Sequence, residues 1–319
     1  MMTGKDVQVS KLTICSAYHA AESKRLLELN RETVERLNPG VSFYWLVADN
    51  TPAGFRDTAD KSKFAVSRGA ASDHSVPRWV RGSVQYAAGL NTLVPYITTR
   101  FALILDSDFY IVRPGWIAEV LTHMQERDLA FFGVPWHPAW HRKPRAFPAP
   151  HTLFIDLEKI PREKLDFLPQ YDFSSPGLLR KIERRAYKML PSAVIRRLET
   201  GTSLDVASKL YLLYRNNPSI RYESVVPVYT PPAPGKADFF LPKRFVRLHP
   251  SFSFSSAGFA ESGLYDVRKE GWEEFLWKGA PYGFHVRGSH KLKENFEKGL
   301  ARVRGAIESC VRSGAGKSA

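Results

Sequence analysis

Phe101-Ala102-Leu103-Ile104-Leu105 is apolar at every position, and a strand that hides both faces has to lie inside a sheet covered on both sides. Two further β-prone runs precede it, Leu12 to Ala17, breaking at Ser16-Ala17-Tyr18-His19, and Val41 to Ala48, ending at Asp49-Asn50-Thr51-Pro52. Between them lie stretches of helical spacing: Leu26, Leu27, Leu29, Val34 and Leu37 within Glu22 to Leu37, then Val84, Ala87, Ala88, Leu90, Leu93 and Val94 within Gly82 to Ile97. Asn38-Pro39-Gly40 stops the first of these helices. Strands alternating with helices predict an α/β fold, a mostly parallel sheet flanked by helices with right-handed crossovers.

The second half is less regular. Strands are predicted at Leu129 to Val134, Leu153 to Ile155, Val225 to Tyr229 and Phe245 to Leu248, a helix at Thr202 to Tyr214 and a closing helix at Lys291 to Val311. The Pro-, Trp- and His-rich stretch from Pro135 to Pro150 has the length of a lid or rim. No internal repeat is visible. The expected division is a flexible N-terminus at 1–9, a ligand-binding α/β part at 10–134, a part at 135–290 completing the same domain, and a C-terminal helix with a disordered tail at 291–319.

At 319 residues, 44% hydrophobic and 24% charged, the chain is not a disordered one. Its net charge of +14 points to anionic partners: nucleotide phosphates, nucleic acid or an acidic membrane surface. Cys15 and Cys310 stand near opposite ends, which excludes a disulfide framework and a cysteine zinc site and fits a reducing compartment. The first residues lack a signal-peptide core and no run reaches the roughly 18 apolar residues of a membrane span, so a cytoplasmic chain is expected.

Asp106-Ser107-Asp108 follows directly on Phe101 to Leu105. In open parallel sheets the ligand crevice lies beyond the carboxyl ends of the strands. Two carboxylates spaced i, i+2 suit a hard divalent cation, which takes one or two carboxylates together with substrate phosphates. The plainer alternative is a turn-capping Asp108 and an Asp106 paired with arginine. Late in the chain, Tyr282-Gly283-Phe284-His285-Val286-Arg287-Gly288-Ser289-His290-Lys291 sets an imidazole at a strand end with basic residues after it. His285 offers a nitrogen ligand to the same ion, and Arg287 and Lys291 offer cations to phosphate oxygens.

With these residues in order, the chain resembles nucleotide-sugar glycosyltransferases of the GT-A fold, family 2-like in its Asp-x-Asp and late His-x-x-Gly. The features stand here as Ser16-Ala17-Tyr18, Asp49, Asp106-Ser107-Asp108 and His285-Val286-Arg287-Gly288, over roughly residues 10 to 292. The resemblance implies a Rossmann-like GT-A sheet and a nucleoside diphosphate sugar donor bound through Mn2+ or Mg2+. It implies Asp106, Asp108 and His285 as metal ligands and Ser16, Tyr18, Asp49, Ser83, Asp106, Ser107, Arg287 and Lys291 around the donor, Asp49 near base or ribose. It also implies a carboxylate at a helix start that deprotonates the acceptor hydroxyl. Asp205, opening the run to Tyr214, fills that role, although the family's Glu-Asp pair is here Leu204-Asp205; a first-turn Asp favouring the helix dipole is the alternative. Asp156, Asp166 and Asp172 are lesser candidates.

Trp136-His137-Pro138-Ala139-Trp140-His141 offers aromatic faces to a sugar ring or to plain packing. Leu178 to Leu198, with seven Lys and Arg against Glu183, is a basic amphipathic segment interrupted by Pro191. It suits peripheral contact with an anionic inner membrane face, where a lipid-linked glycan acceptor is found, or simply a solvated face. Gly314-Ala315-Gly316-Lys317-Ser318 lacks the first glycine and the strand of a phosphate loop. The competing functions are a sugar-phosphate nucleotidyltransferase and a non-catalytic protein binding membrane or nucleic acid. No nucleic acid partner is expected of the transferase.

Overall fold

The computed structural model describes residues 12–52, 60–69, 78–137, 147–169, 206–214, 217–229, 254–286 and 295–315. The expected strand at 245–248, the basic segment at 178–198, the N-terminal and C-terminal tails, and Trp140, His141, Asp172, Asp205, Arg287 and Lys291 lie outside them.

The apolar run expected to be hidden on both faces is β4, Phe101–Leu105, and all five residues are buried. It lies at the centre of a seven-stranded sheet ordered β3-β2-β1-β4-β7-β6-β8, with β1 at Leu12–Tyr18, β2 at Tyr44–Asp49, β3 at Ala65–Arg68, β6 at Phe131–Pro135, β7 at Pro148–Asp156 and β8 at Tyr222–Ser224. Strands β1 to β4 run parallel. The exception is β7, antiparallel to both β4 and β6, while β6 and β8 are parallel to each other. This is the mostly parallel, helix-flanked α/β sheet expected of a GT-A-like chain.

Alternation along β4 shows why the run had to be apolar throughout. Phe101, Leu103 and Leu105 face a core built with α1 (Ala21–Leu37) and α3 (Trp116–Glu126), through Leu27, Val34, Trp116 and Val120. Ala102 and Ile104 face the opposite core with α2 (Arg78–Leu93) and α4 (Ser208–Tyr214), through Ala87, Leu90, Leu210 and Tyr214.

Helix α2 is fastened to the end of β2 by Asn50. Asn50 Nδ2 donates to the Gln85 carbonyl at 3.0 Å and Gln85 Nε2 returns a bond to the Asn50 carbonyl at 2.9 Å. The Asn50 amide fits against two glycines: a Cβ on Gly69 would stand 1.8 Å from its Oδ1 and one on Gly89 2.5 Å from its Nδ2. Any side chain at either glycine would displace Asn50, and with it the register of α2 over the sheet.

The second half, expected to be irregular, joins one strand of the first half in a further sheet, ordered β5-β11-β10-β9 and antiparallel throughout. Its strands are β5 at Phe109–Ile111, β9 at Val226–Pro227, β10 at Glu273–Trp277 and β11 at Ala280–His285. A short helix α5, Ser256–Glu261, lies between β9 and β10 in the chain, and the closing helix α6, Phe296–Ala315, covers the sheet through Val303, Ala306 and Ile307 packed on Tyr110 and Phe284. Arg25–Glu297, Arg36–Glu308 and Arg304–Glu32 pairs tie α6 to α1. Among the described residues no helix is long and apolar enough to cross a membrane.

Glu274 on β10 is a costly element of this core. It is 1% exposed, and burial, with Asp266 adding, pushes its carboxyl up from 4.5 to about 8. The folded chain therefore holds this proton more tightly than the unfolded one. The penalty is absent below about pH 4.5, grows as pH rises, and is complete above about pH 8. Replacing Glu274 by Gln is expected to raise the thermal midpoint at pH 9 and leave it unchanged at pH 4, with an upper bound of roughly 5 kcal/mol at high pH. Thermal melts of both proteins across that range check this.

Candidate active site

The chain leaves β4 into the turn Asp106-Ser107-Asp108 and re-enters extended structure at once as β5. Two bonds close the turn, from Asp106 N to the His151 carbonyl at 3.0 Å and from Phe109 N to the Asp106 carbonyl at 3.2 Å. Asn30, fully buried on α1, donates its amide to the carbonyls of Phe109 at 2.7 Å and Asp106 at 3.3 Å. The turn is thus held from the sheet on one side and from α1 on the other.

β5 then brings the far end of the chain to the turn. It pairs with β11 so that Phe109 stands opposite His285, and Val286 N donates to the Asp108 carbonyl at 2.9 Å. Ligand atoms of Asp106, Asp108 and His285 consequently lie within 4.8 Å of one another. Ligands about 2.0–2.6 Å from one hard cation span at most about 5 Å. Two carboxylates and one imidazole fit a divalent ion with positions left for substrate oxygens.

His285 is 5% exposed. Its Nε2 lies 3.3 Å from Asp108 Oδ1 and its Nδ1 3.1 Å from Glu273 Oε2. Burial works against a charged ring, yet Asp108 and Glu273 outweigh it and push the imidazole up to about 10. A second imidazole, His151 on β7, packs with its ring centroid 4.9 Å from that of His285. Its Nδ1 stands 4.0 Å from Asp106 Oδ2, beyond direct hydrogen bonding. Tyr86 of α2, half-buried, stands next to the same carboxylate; desolvation first, then Asp106, pushes its phenol well above the usual range.

These groups line an open cleft of about 270 Å³ at the carboxyl edge of the parallel strands, with Ala17, His19, Ser83, Ser107, Trp136 and Val206 also on its wall. The Trp136 indole stands edge-on to His151, centroids 4.5 Å apart. Of the residues expected from sequence, the cleft gathers Ser83, Asp106, Ser107, Asp108 and His285.

Others are placed elsewhere. Ser16 and Tyr18 face away from the cleft; the strand's alternation gives it Ala17 and His19 instead. Ser16 Oγ donates to the Leu105 carbonyl at 2.7 Å and accepts from Trp45 Nε1 at 3.0 Å, and Tyr18 is core. Asp49 is buried, its Oδ1 accepting from Thr51 N and Oγ1 at 2.9 and 2.6 Å, with Arg68 3.9 Å from Oδ2. Asp156 pairs with Arg100 at 2.8 Å, and Asp166 binds Asn91 and Lys209. Asn30, Tyr86, His151 and Glu273 were not singled out by sequence. Glu273 alone carried a signal: an acidic pair between Trp272 and Phe275 in a strand is unusual enough to mark a buried charge.

No family model and no curated protein matches the chain. Among solved structures it is similar to the mannosyltransferase PcManGT from Pyrobaculum calidifontis, in complex with GDP-Man and Mn2+, at 12% identity over 49% of this chain and 47% of that one, TM-score 0.34. It is also similar to TarS from S. aureus in complex with UDP, at 14% identity over 49% and 50%, TM-score 0.33. A third is the galactosyltransferase LgtC in complex with donor and acceptor sugar analogs, at 13% identity over 90% and 95%, TM-score 0.41. The chain spans about half the length of the first two.

The Asn30 clamp is testable without a ligand. Asn30→Ala removes the donor from two buried carbonyls and is expected to cost about 1–3 kcal/mol in a denaturant titration.

Proposed function

We propose that the chain is a metal-dependent glycosyltransferase that moves a sugar from a nucleoside diphosphate sugar to a hydroxyl acceptor, a glycan or lipid-linked glycan. The observation that carries this reading is the convergence of Asp106, Asp108 and His285 on one cleft at the carboxyl edge of a parallel sheet. Those three side chains would hold Mn2+ or Mg2+. Bound there, the ion supplies charge neutralisation to the departing diphosphate.

The chain's own groups divide the remaining work. Ser83 and Ser107 line the cleft where hydroxyls serve phosphate or ribose oxygens. Trp136 offers an aromatic surface to a sugar ring. Arg287 and Lys291 follow His285 in sequence by two and six residues, which favours a role as cations for the diphosphate. Asp205 is our candidate for the base that takes the acceptor proton; its neighbour in sequence, Val206, lines the cleft, which favours that role. A bilayer-borne acceptor would account for the basic run at 178–198 and for much of the +14 charge.

Calorimetric titration of UDP and GDP, each with and without Mn2+, into the wild-type chain and Asp108→Ala tests the proposal. One nucleotide is expected to bind only with Mn2+ present, at least tenfold more weakly in the variant, a difference of about 1.4 kcal/mol. Absence of binding by either diphosphate with Mn2+ would overturn it.

A further inference from the structure

We infer that Glu273 is a positioning residue of the metal site, holding the His285 ring by Nδ1 so that Nε2 is presented beside Asp108. This rests on the metal-binding reading above and deepens it. Glu273 and His285 are directly opposed in the β10–β11 ladder, a placement that brings two side chains together on one face of a sheet. The carboxylate meets Nδ1 at 3.1 Å and Asp108 meets Nε2 at 3.3 Å. Gripped through both nitrogens, with Phe109 and His151 at centroid distances of 6.0 and 4.9 Å, the ring has one orientation.

Burial makes the assignment informative. Glu273 is 5% exposed, in a strand whose other residues are buried as well. A buried carboxylate is costly unless paired, and an apolar residue of similar size would serve packing better. Ligating imidazoles characteristically donate their second N–H to a carboxylate, which fixes the tautomer and strengthens the ligand. Among the described residues, the cluster that could hold an ion comprises Asp106, Asp108 and His285; Glu273 meets the ring on its other nitrogen and so acts through it. Its neighbour Glu274 is excluded from this task, since strand alternation turns it toward Asp266 and Cys310.

The test is Mn2+ affinity, measured without nucleotide by electron paramagnetic resonance of the free ion, in the wild type, Glu273→Ala, Glu273→Gln, His285→Asn and the Glu273→Ala/His285→Asn double variant. Glu273→Ala is expected to bind about 10–100-fold more weakly. Glu273→Gln, whose amide oxygen still accepts from Nδ1–H, should recover most of that loss. In the His285→Asn background, removing Glu273 should cost nothing further. Wild-type affinity in Glu273→Ala, or a full second loss in the double variant, would overturn the assignment. Failure of the wild type to bind Mn2+ would overturn the metal reading and this assignment together. A measurement on the wild type alone guards against variants that do not fold: with Cd2+ as a diamagnetic stand-in, 15N spectra of His285 should place the proton on Nδ1 and the metal on Nε2. The reverse tautomer would also overturn it.

Discussion

The pairing of β5 with β11 is the contact on which the rest of the site depends. Three residues of β5 follow immediately on Asp108, and their ladder with β11 sets His285 opposite Phe109 and bonds Val286 to the Asp108 carbonyl. Backbone hydrogen bonds therefore join residues about 180 positions apart to within ligand distance of one another. The sheet of strands β1 to β4 supplies the edge at which Asp106 and Asp108 emerge, and the smaller sheet supplies the imidazole. Neither sheet holds the three groups by itself.

That arrangement concentrates negative charge at the floor of the cleft, with Glu273 and His285 buried and Asp106 and Asp108 half-buried. Asp106, Asp108 and Glu273 stand around one imidazole, and the imidazole is drawn toward its charged form by two of them. Like charges this close are costly to keep together at low dielectric. A divalent cation would relieve that repulsion, as the proposed function requires. The neighbouring aromatic groups, Phe109, Trp136 and Tyr86, line the cluster with low-polarity surface.

The turn itself is over-determined. Asn30 from α1 and the His151 carbonyl from β7 hold its backbone, while Asn50 locks α2, bearing Ser83 and Tyr86, to the end of β2. Buried amides that satisfy backbone carbonyls serve rigidity here, because each would be penalised if its partner moved.

From the sequence alone one could derive the parallel strands, because a run such as Phe101 to Leu105 has no stable place except a sheet covered on both faces. The Asp106-Ser107-Asp108 turn was legible for the same reason, as polar residues ending a buried strand at a fixed edge. His285 was legible as an imidazole closing a strand, although nothing local said which strand it would meet. Alternation was the limit elsewhere: Ser16 and Tyr18, expected in a loop that contacts the donor, belong to the end of β1, where period-two geometry turns them inward and gives the cleft to Ala17 and His19. Glu273, His151, Tyr86 and Asn30 came to the site only through strand pairing and helix docking. Those contacts join residues far apart in the chain, and local periodicity carries no information about which distant segments will share a hydrogen-bond ladder.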